Sequence, residues 1–266
     1  MRWAIGVEYR GTRFAGWQRQ PDCLSVQEHL EFAIEKIAGH PVQVYAAGRT
    51  DRGVHASMQV VHFDVNCERS DNAWVRGVNS FLTQDVAVLW SRAVPEEFHA
   101  RFSAVKRHYR YFIYSHPVRP TLLANQVGWT HQSLKLDEMQ RAASYMLGTH
   151  DFSAFRSSEC QAKSPIKHLE EFSIELAAVQ PSSGVLYEAK LTANAFLHHM
   201  VRNLIGAAVF VGAGNRPSIW MQELLQAKKR EFAAPMFAAD GLYLAGVLYP
   251  DEFLLPSWNE TSRLAW

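Results

Sequence analysis

Ala47-Gly48-Arg49-Thr50-Asp51-Arg52-Gly53-Val54-His55-Ala56 sets one carboxylate, Asp51, in a short loop between two apolar runs. Pro41-Val42-Gln43-Val44-Tyr45-Ala46 precedes it and Val60-Val61-His62-Phe63 follows. Both flanks read as strands, being β-branched, aromatic and partly alternating. A proline at the head of the first is tolerated because it need not donate a ladder hydrogen bond there. Gly48 and Gly53 let the backbone turn where a side chain would clash. Arg49, Arg52 and His55 surround the carboxylate with positive or chargeable groups. An Asp in such a turn ordinarily forms an Asx-turn and nothing more. The rest of the chain gives it another meaning.

Outward from this loop, residues 3–9 alternate like a strand, and a loop runs from Arg10 to Leu24. Ser25-Val26-Gln27-Glu28 is a capping box, and Leu30, Phe32, Ala33, Ile34 and Ile37 supply a helical apolar face that ends at Gly39. Ser70 or Asp71 caps a second helix through Leu82, and Val86 to Val94 reads as a strand. The first half is therefore β-α-β followed by β-α-β, an α+β pattern resembling ferredoxin-like or RRM-like sheets. The second half restarts with a strand at 105–115 and a helix from Leu136 to Leu147, ending near Gly148. Strand-like runs at 168–179 and 185–195 flank the turn Gln180-Pro181-Ser182-Ser183-Gly184. Helices from His198 to Val211 and from Pro217 to Lys229 follow, then a strand from Gly241 to Tyr249 and an irregular tail. A boundary near residue 104 divides the chain into 1–104 and 105–266, with a substrate cleft expected between two sheet-bearing halves.

The 266 residues are 48% hydrophobic and 20% charged, a globular balance with ample core. No apolar run is long enough to span a bilayer, and Glu8 interrupts the first apolar stretch, which rules out a secretory layout there. Cys23, Cys67 and Cys160 are far apart and odd in number, so they draw neither a disulfide framework nor a zinc site and point to a reducing cytoplasm. Net charge is nearly silent, with 27 basic residues against 26 acidic. Its distribution says more. Between Phe98 and Tyr114 stand Arg101, Lys106, Arg107 and Arg110 with no acid, interleaved with Phe102, Tyr109, Tyr111 and Phe112. Such a stretch can neutralise phosphates and stack on bases. A two-faced strand, half core and half solvated, would show the same composition.

Taken together, several blocks resemble the tRNA pseudouridine synthases that modify positions 38, 39 and 40 of the anticodon arm. They are Gly16-Trp17-Gln18-Arg19-Gln20, Gly48-Arg49-Thr50-Asp51 with Gly53-Val54-His55-Ala56, and Phe98-His99-Ala100-Arg101-Phe102. Tyr109-Arg110-Tyr111, Asn194-Ala195-Phe196, His198-His199-Met200-Val201-Arg202-Asn203 and Gly241-Leu242-Tyr243-Leu244 continue the series in the family's order. The resemblance implies the α+β pseudouridine-synthase fold, no cofactor and no metal, a tRNA partner and a homodimer.

It also implies roles. Asp51 occupies the place of the indispensable carboxylate, which attacks C1′, adds to the pyrimidine ring, or abstracts the C2′ proton; each route needs an anion, which a nearby cation favours. Arg202 matches its basic partner and Tyr109 the aromatic that stacks on the extruded uracil and assists proton transfer from C5. Leu242 matches the apolar residue beneath the flipped base. Arg49 and the run Phe98, His99, Ala100, Arg101 and Phe102 match tRNA-contacting residues, as do Gln161 and Lys163 in a later loop. Arg52 departs from the small residue expected after the Asp. His198 and His199, adjacent on a helix, would face different ways and make a poor metal site.

Two other readings compete. A tRNA-binding or folding module would not need Asp51, Tyr109 and Arg202 together. A glycoside hydrolase needs two flanking carboxyls, and Asp64 is the nearest second acid in sequence.

Overall fold

The computed structural model describes residues 1–179 and 184–256. They divide into two compact units. One holds Met1–Lys106 and the chain from Tyr243 onward; the other holds Arg107–Leu242. The closing strand, expected with the second half, thus returns to the first unit.

In the first unit β1 (Arg2–Tyr9) is the central strand. It pairs antiparallel with β3 (His55–Asp64) on one side and β4 (Val86–Val94) on the other. β2 (Tyr45–Ala46) lies antiparallel on the far edge of β3, giving the order β4-β1-β3-β2 of a ferredoxin-like sheet. The same edge of β3 also receives β10 (Leu242–Leu248), parallel, with Tyr243 opposite His55 and Leu244 opposite Ala56. Because β1 is covered on both faces, Trp3, Ala4, Ile5 and Val7 are all buried and simple alternation is lost. Trp3 and Phe63 meet Trp74 at ring-centroid distances of 5.8 and 5.2 Å, which closes the core under the helical segment around Ala73–Gly77.

Half of the capping box forms, since the Glu28 carboxylate pairs with Arg19 at 3.4 Å instead of reaching back to the cap. Ser25 Oγ accepts from the Glu28 N–H at 3.3 Å, α1 spans Val26–Ala38, and Gly39 closes it at φ 79°. Leu30, Ala33 and Ile34 are wholly buried, but Phe32 turns outward, half exposed, with Lys36 Nζ 4.7 Å above its ring. Residues 41–44 do not form the expected strand. Pro41 has no N–H, and the Val44 N–H goes to Glu31 Oε1 at 3.1 Å, so a helix side chain takes the donor that a ladder would use. Val42 and Val44 are buried all the same, which is why their pattern resembles a strand. The second helix also differs, since its centre, Ala73–Gly77, is π-helical.

The second unit carries β5 (Lys106–Ser115), β9 (Val185–Ala193), β8 (Ile166–Val179) and β7 (Gly148–Asp151) in that antiparallel order, with β6 (Gly128–Thr130) parallel to β5. β5-β9-β8 with its helices repeats the β1-β3-β2 arrangement of the first unit. α2 (Leu136–Ser144) packs on β8 and on α3 (Met200–Gly212), where a Cβ on Gly212 would stand 2.6 Å from Met139 Cγ. α3 is apolar nearly all round and is correspondingly buried. It begins at Met200, later than expected, because His199 lies in the left-handed region at φ 64°. Pro217 starts a turn, not a helix: Trp220 N donates to its carbonyl at 3.0 Å, and α4 covers Trp220–Ala227. Of the turn expected at 180–184, residues 180–183 lie outside the described residues, as do residues 257–266 of the tail. Among the described residues no helix is long and apolar enough to cross a membrane.

Candidate active site and RNA-contacting surface

The Asp51 loop is built against two glycines. Gly16 sits at φ +108°, and a Cβ there would come within 2.8 Å of the Thr50 carbonyl oxygen and 3.2 Å of the Asp51 carbonyl carbon. Trp17 N donates to the Thr50 oxygen at 3.0 Å, so the Gly16-Trp17 segment is hydrogen-bonded to the loop it touches. On the other side Gly11 approaches so closely that its Cβ would fall 2.0 Å from the Val54 oxygen. These contacts give the Gly-Trp block its physical meaning. Only hydrogen at Cα admits the backbone of one loop onto the next.

Side chains finish the cradle. Thr50 is buried and bonds Tyr9 Oη at 2.9 Å, while Gln59 donates to the Gly48 oxygen at 2.7 Å. The Asp51 oxygen accepts from Val54 N at 3.1 Å across a turn that Gly53 completes at φ +81°. His55 lies within the core of the unit. It is 2% exposed, accepts from Gly11 N at 3.1 Å, and stacks on Tyr243 at 4.6 Å. Asp51 is thus a partly exposed carboxylate on a fixed backbone, flanked by the exposed Arg49 and Arg52.

Asp64 has a different part. Arg2 grips both its oxygens, Nε–Oδ1 at 2.9 Å and Nη2–Oδ2 at 2.8 Å, and this bond holds the carboxyl below its usual range. A carboxyl so held does not supply the general acid of a glycoside hydrolase, and its two oxygens are committed to Arg2.

The run from Phe98 to Phe102 splits by burial. Phe98 is wholly buried against Tyr249 and Phe253, at 5.1 and 5.0 Å. Ala100 is also wholly buried; its N–H goes to His62 Nδ1 at 3.1 Å and its carbonyl accepts from Tyr249 Oη at 2.6 Å. These two anchor the loop, and their side chains offer nothing to a ligand. Arg2 Nη1 binds the Phe98 carbonyl at 3.0 Å from the opposite side. Between the anchors His99 Nδ1 accepts from Arg101 N at 3.1 Å and turns the chain outward. Arg101 and Phe102 are left at the tip, Phe102 76% exposed with the Arg101 guanidinium 5.7 Å from its ring centre. Such a pair suits a phosphate beside an unstacked base.

His62, beneath this loop, was not singled out in the sequence. Burial, then His99 and Arg2 nearby, pull it from 6.5 down to about 4. The unfolded chain therefore binds this proton more readily than the folded one. Its contribution to stability is complete above about pH 6.5 and drains away as pH falls toward 4. Between pH 7.5 and 4.5 that is about 2.5 kcal/mol. Urea unfolding of wild type and His62→Asn at both pH values should show the wild type losing more by about that amount; equal losses would contradict the assignment.

In the second unit Tyr109 stands half-exposed on β5, with Phe196 edge-on at 5.0 Å. Asn194 explains the neighbouring Asn-Ala-Phe block. Its Oδ1 accepts from His168 N and Ala195 N at 3.1 and 2.8 Å, and its carbonyl takes Arg107 Nη1 at 3.0 Å. The loop so tied delivers Phe196 to the Tyr109 ring. Arg202 lies in the first turn of α3, half-exposed, its Nε bonded to the Phe237 carbonyl at 3.0 Å. His198 and His199 precede the helix, with ring centres 3.8 Å apart, so the helical-face geometry expected for them does not apply. Leu242 is 5% exposed at the head of β10. Gln161 and Lys163 are exposed in the loop before β8.

A sequence profile described as tRNA pseudouridine synthase matches residues 5–103 and 142–250. The chain is similar to tRNA pseudouridine synthase A of Paraburkholderia phytofirmans, with 52% identity over 265 residues covering 100% of this chain and 96% of that protein. It is 56% identical to the protein of that name from Chromobacterium violaceum, at 99% coverage of both. With the one from Thiobacillus denitrificans it shares 53% identity at 98% coverage of both. A cradle built to hold one carboxylate and an exposed Arg–Phe tip agree with these matches: the chain belongs to the tRNA pseudouridine synthase family, the enzymes that isomerise uridine in tRNA.

Proposed function

We propose that the protein converts uridine to pseudouridine at positions 38, 39 and 40 of the tRNA anticodon arm, with Asp51 as the catalytic carboxylate. The observation that carries this reading is the Asp51 loop itself. Its backbone is held by Trp17, Gln59 and the Tyr9–Thr50 bond, while its carboxylate stays reachable. In the reaction the N1–C1′ bond breaks, the uracil turns, C5 joins C1′, the C5 proton leaves to solvent and N1 gains a proton. Asp51 stabilises or captures the sugar or the base while they are apart.

Arg202 is the basic partner of the reaction, and Tyr109 stacks on the uracil and assists transfer of the C5 proton to solvent. Leu242 supplies an apolar bed. The target must leave a stacked arm at a cost of roughly a few kcal/mol, which phosphate contacts from Arg49, Arg101 and Lys163 help to offset, with His99, Phe102 and Gln161 lining the path. The protein acts as a homodimer in the cytoplasm without a metal or other cofactor.

Carbodiimide mapping of transcribed tRNAs carrying uridine at only one of the three positions tests the site choice. Modification at each of the three is expected; modification elsewhere in the tRNA and at none of them would overturn it. Arg101→Ala should weaken tRNA binding and lower the slope of log K against log salt by about 1. An unchanged slope would remove Arg101 from the phosphate contacts.

A further inference from the structure

The segment between α4 and β10 is laid along α3 by a chain of hydrogen bonds that converges on Arg202. Arg230 is half-buried and uses two nitrogens. Nη2 donates to Asn203 Oδ1 at 3.0 Å, and Nη1 donates to the Ala234 carbonyl at 2.8 Å. Asn203, 2% exposed and next to Arg202 on the helix, passes its own Nδ2 to the Phe155 carbonyl at 2.8 Å. From Ala234 the strap continues across Gly206, where a Cβ would stand 2.3 Å from the Pro235 oxygen. It then meets Arg202 twice. Phe237 N donates to the Arg202 carbonyl at 3.2 Å, and Arg202 Nε donates to the Phe237 carbonyl at 3.0 Å. Tyr111 Oη holds the next carbonyl, Ala238, at 2.7 Å.

This arrangement costs something. Arg230 is a cation drawn partly out of water without a carboxylate among its hydrogen bonds at Asn203 and Ala234, and burial lowers its pKa. Burying a guanidinium against neutral acceptors is unfavourable unless the donors are well satisfied. A surface arginine would fix no geometry. This one joins the residue after Arg202 to the strap that receives the Arg202 side chain. The Nε bond sets the plane of the Arg202 guanidinium, because the group is rigid and planar.

We infer that Arg230 is a positioning residue for Arg202: it locks the 234–238 strap to Asn203 so that the Phe237 carbonyl fixes the Arg202 guanidinium in its working orientation. The inference rests on Arg202 serving the isomerisation, as proposed above. A misplacement of about 1 Å in such a group can cost on the order of a hundredfold in rate. For Arg230→Ala we expect single-turnover kcat to fall by about thirtyfold with tRNA Kd and its salt slope unchanged, and Arg230→Lys to recover part of the loss.

The test is a double-mutant cycle in single-turnover kcat with saturating enzyme, using Arg230→Ala, Arg202→Lys and both, each checked for a cooperative thermal transition. Lysine has no Nε–H of the guanidinium kind, so the strap then has no plane to set. The expected result is a large loss from Arg230→Ala in the native background and a change of under about twofold in the Arg202→Lys background. Equal losses in both backgrounds, or no loss in the native one, would overturn the positioning role. If Arg230→Ala does not fold, Arg230→Lys carries the same cycle, since one ammonium cannot reproduce the forked pair of bonds. If Arg202→Lys alone leaves kcat unchanged, the role given to Arg202 fails and the positioning role is overturned with it. That outcome is distinct from a silent Arg230 beside a sensitive Arg202.

Discussion

Asp51→Asn is expected to lower pseudouridine formation by at least about a thousandfold while changing tRNA affinity by no more than about twofold. The asymmetry follows from where the residue sits. The backbone of its loop is fixed by Trp17 N on the Thr50 oxygen, Gln59 on Gly48 and Thr50 on Tyr9, none of which involves the Asp51 side chain. Asparagine keeps the size, leaves the Val54 N–H on the Asp51 backbone carbonyl, and removes the negative charge. The variant should therefore unfold at the wild-type temperature and bind tRNA through the same basic residues. Single-turnover assays together with filter binding separate the two effects. A parallel fall in rate and affinity would mean that Asp51 serves binding, not chemistry.

Gly16→Ala is expected to cost about 2 kcal/mol or more in stability and, beyond that, to depress activity in the fraction that remains folded. Two terms add. The residue sits at φ +108°, where an L side chain is strained, and the new Cβ would meet the Thr50 oxygen at 2.8 Å. That neighbour is backbone and cannot swing aside. Relief requires the Thr50–Asp51 peptide to move, so strain is delivered to the carboxylate proposed as catalytic. Gly39→Ala is the control. Its φ of +79° is similarly strained, but no atom lies within 4 Å of the added Cβ. It should lose stability by roughly 1–2 kcal/mol and keep its kcat. Urea unfolding with kcat on the same samples decides this; equal loss of kcat in both variants would show that Gly16 matters only to folding.

Where local signals were strong, the sequence was readable. Ser25 and Gly39 bound α1, Val86 to Val94 is β4, and the strand read at 105–115 is β5, Lys106–Ser115. The signal failed where burial resembled pairing. Val42 and Val44 are buried like strand residues, yet a glutamate from α1 takes the Val44 N–H. Long-range pairing was illegible: nothing local says that β10 lies parallel to β3 in the first unit. In the run Phe98 to Phe102, composition pointed to a basic aromatic surface but could not sort anchors from contacts. Burial sorts them, leaving Arg101 and Phe102 outside and Phe98 and Ala100 within. His62 and Arg230 carried no motif in the sequence reading. Their roles exist only through partners 38 and 27 residues away, Ala100 and Asn203.

The measurement that bears most directly on the central claim is tritium release from transcribed tRNA labelled at uridine C5, comparing wild type with Asp51→Ala. Forming the C5–C1′ bond expels the C5 hydrogen, so release counts isomerisation events. Release by the wild type and none by the folded, tRNA-binding variant is the predicted result. Release by both, or by neither, would contradict the assignment of Asp51 as the carboxylate of a uridine isomerase.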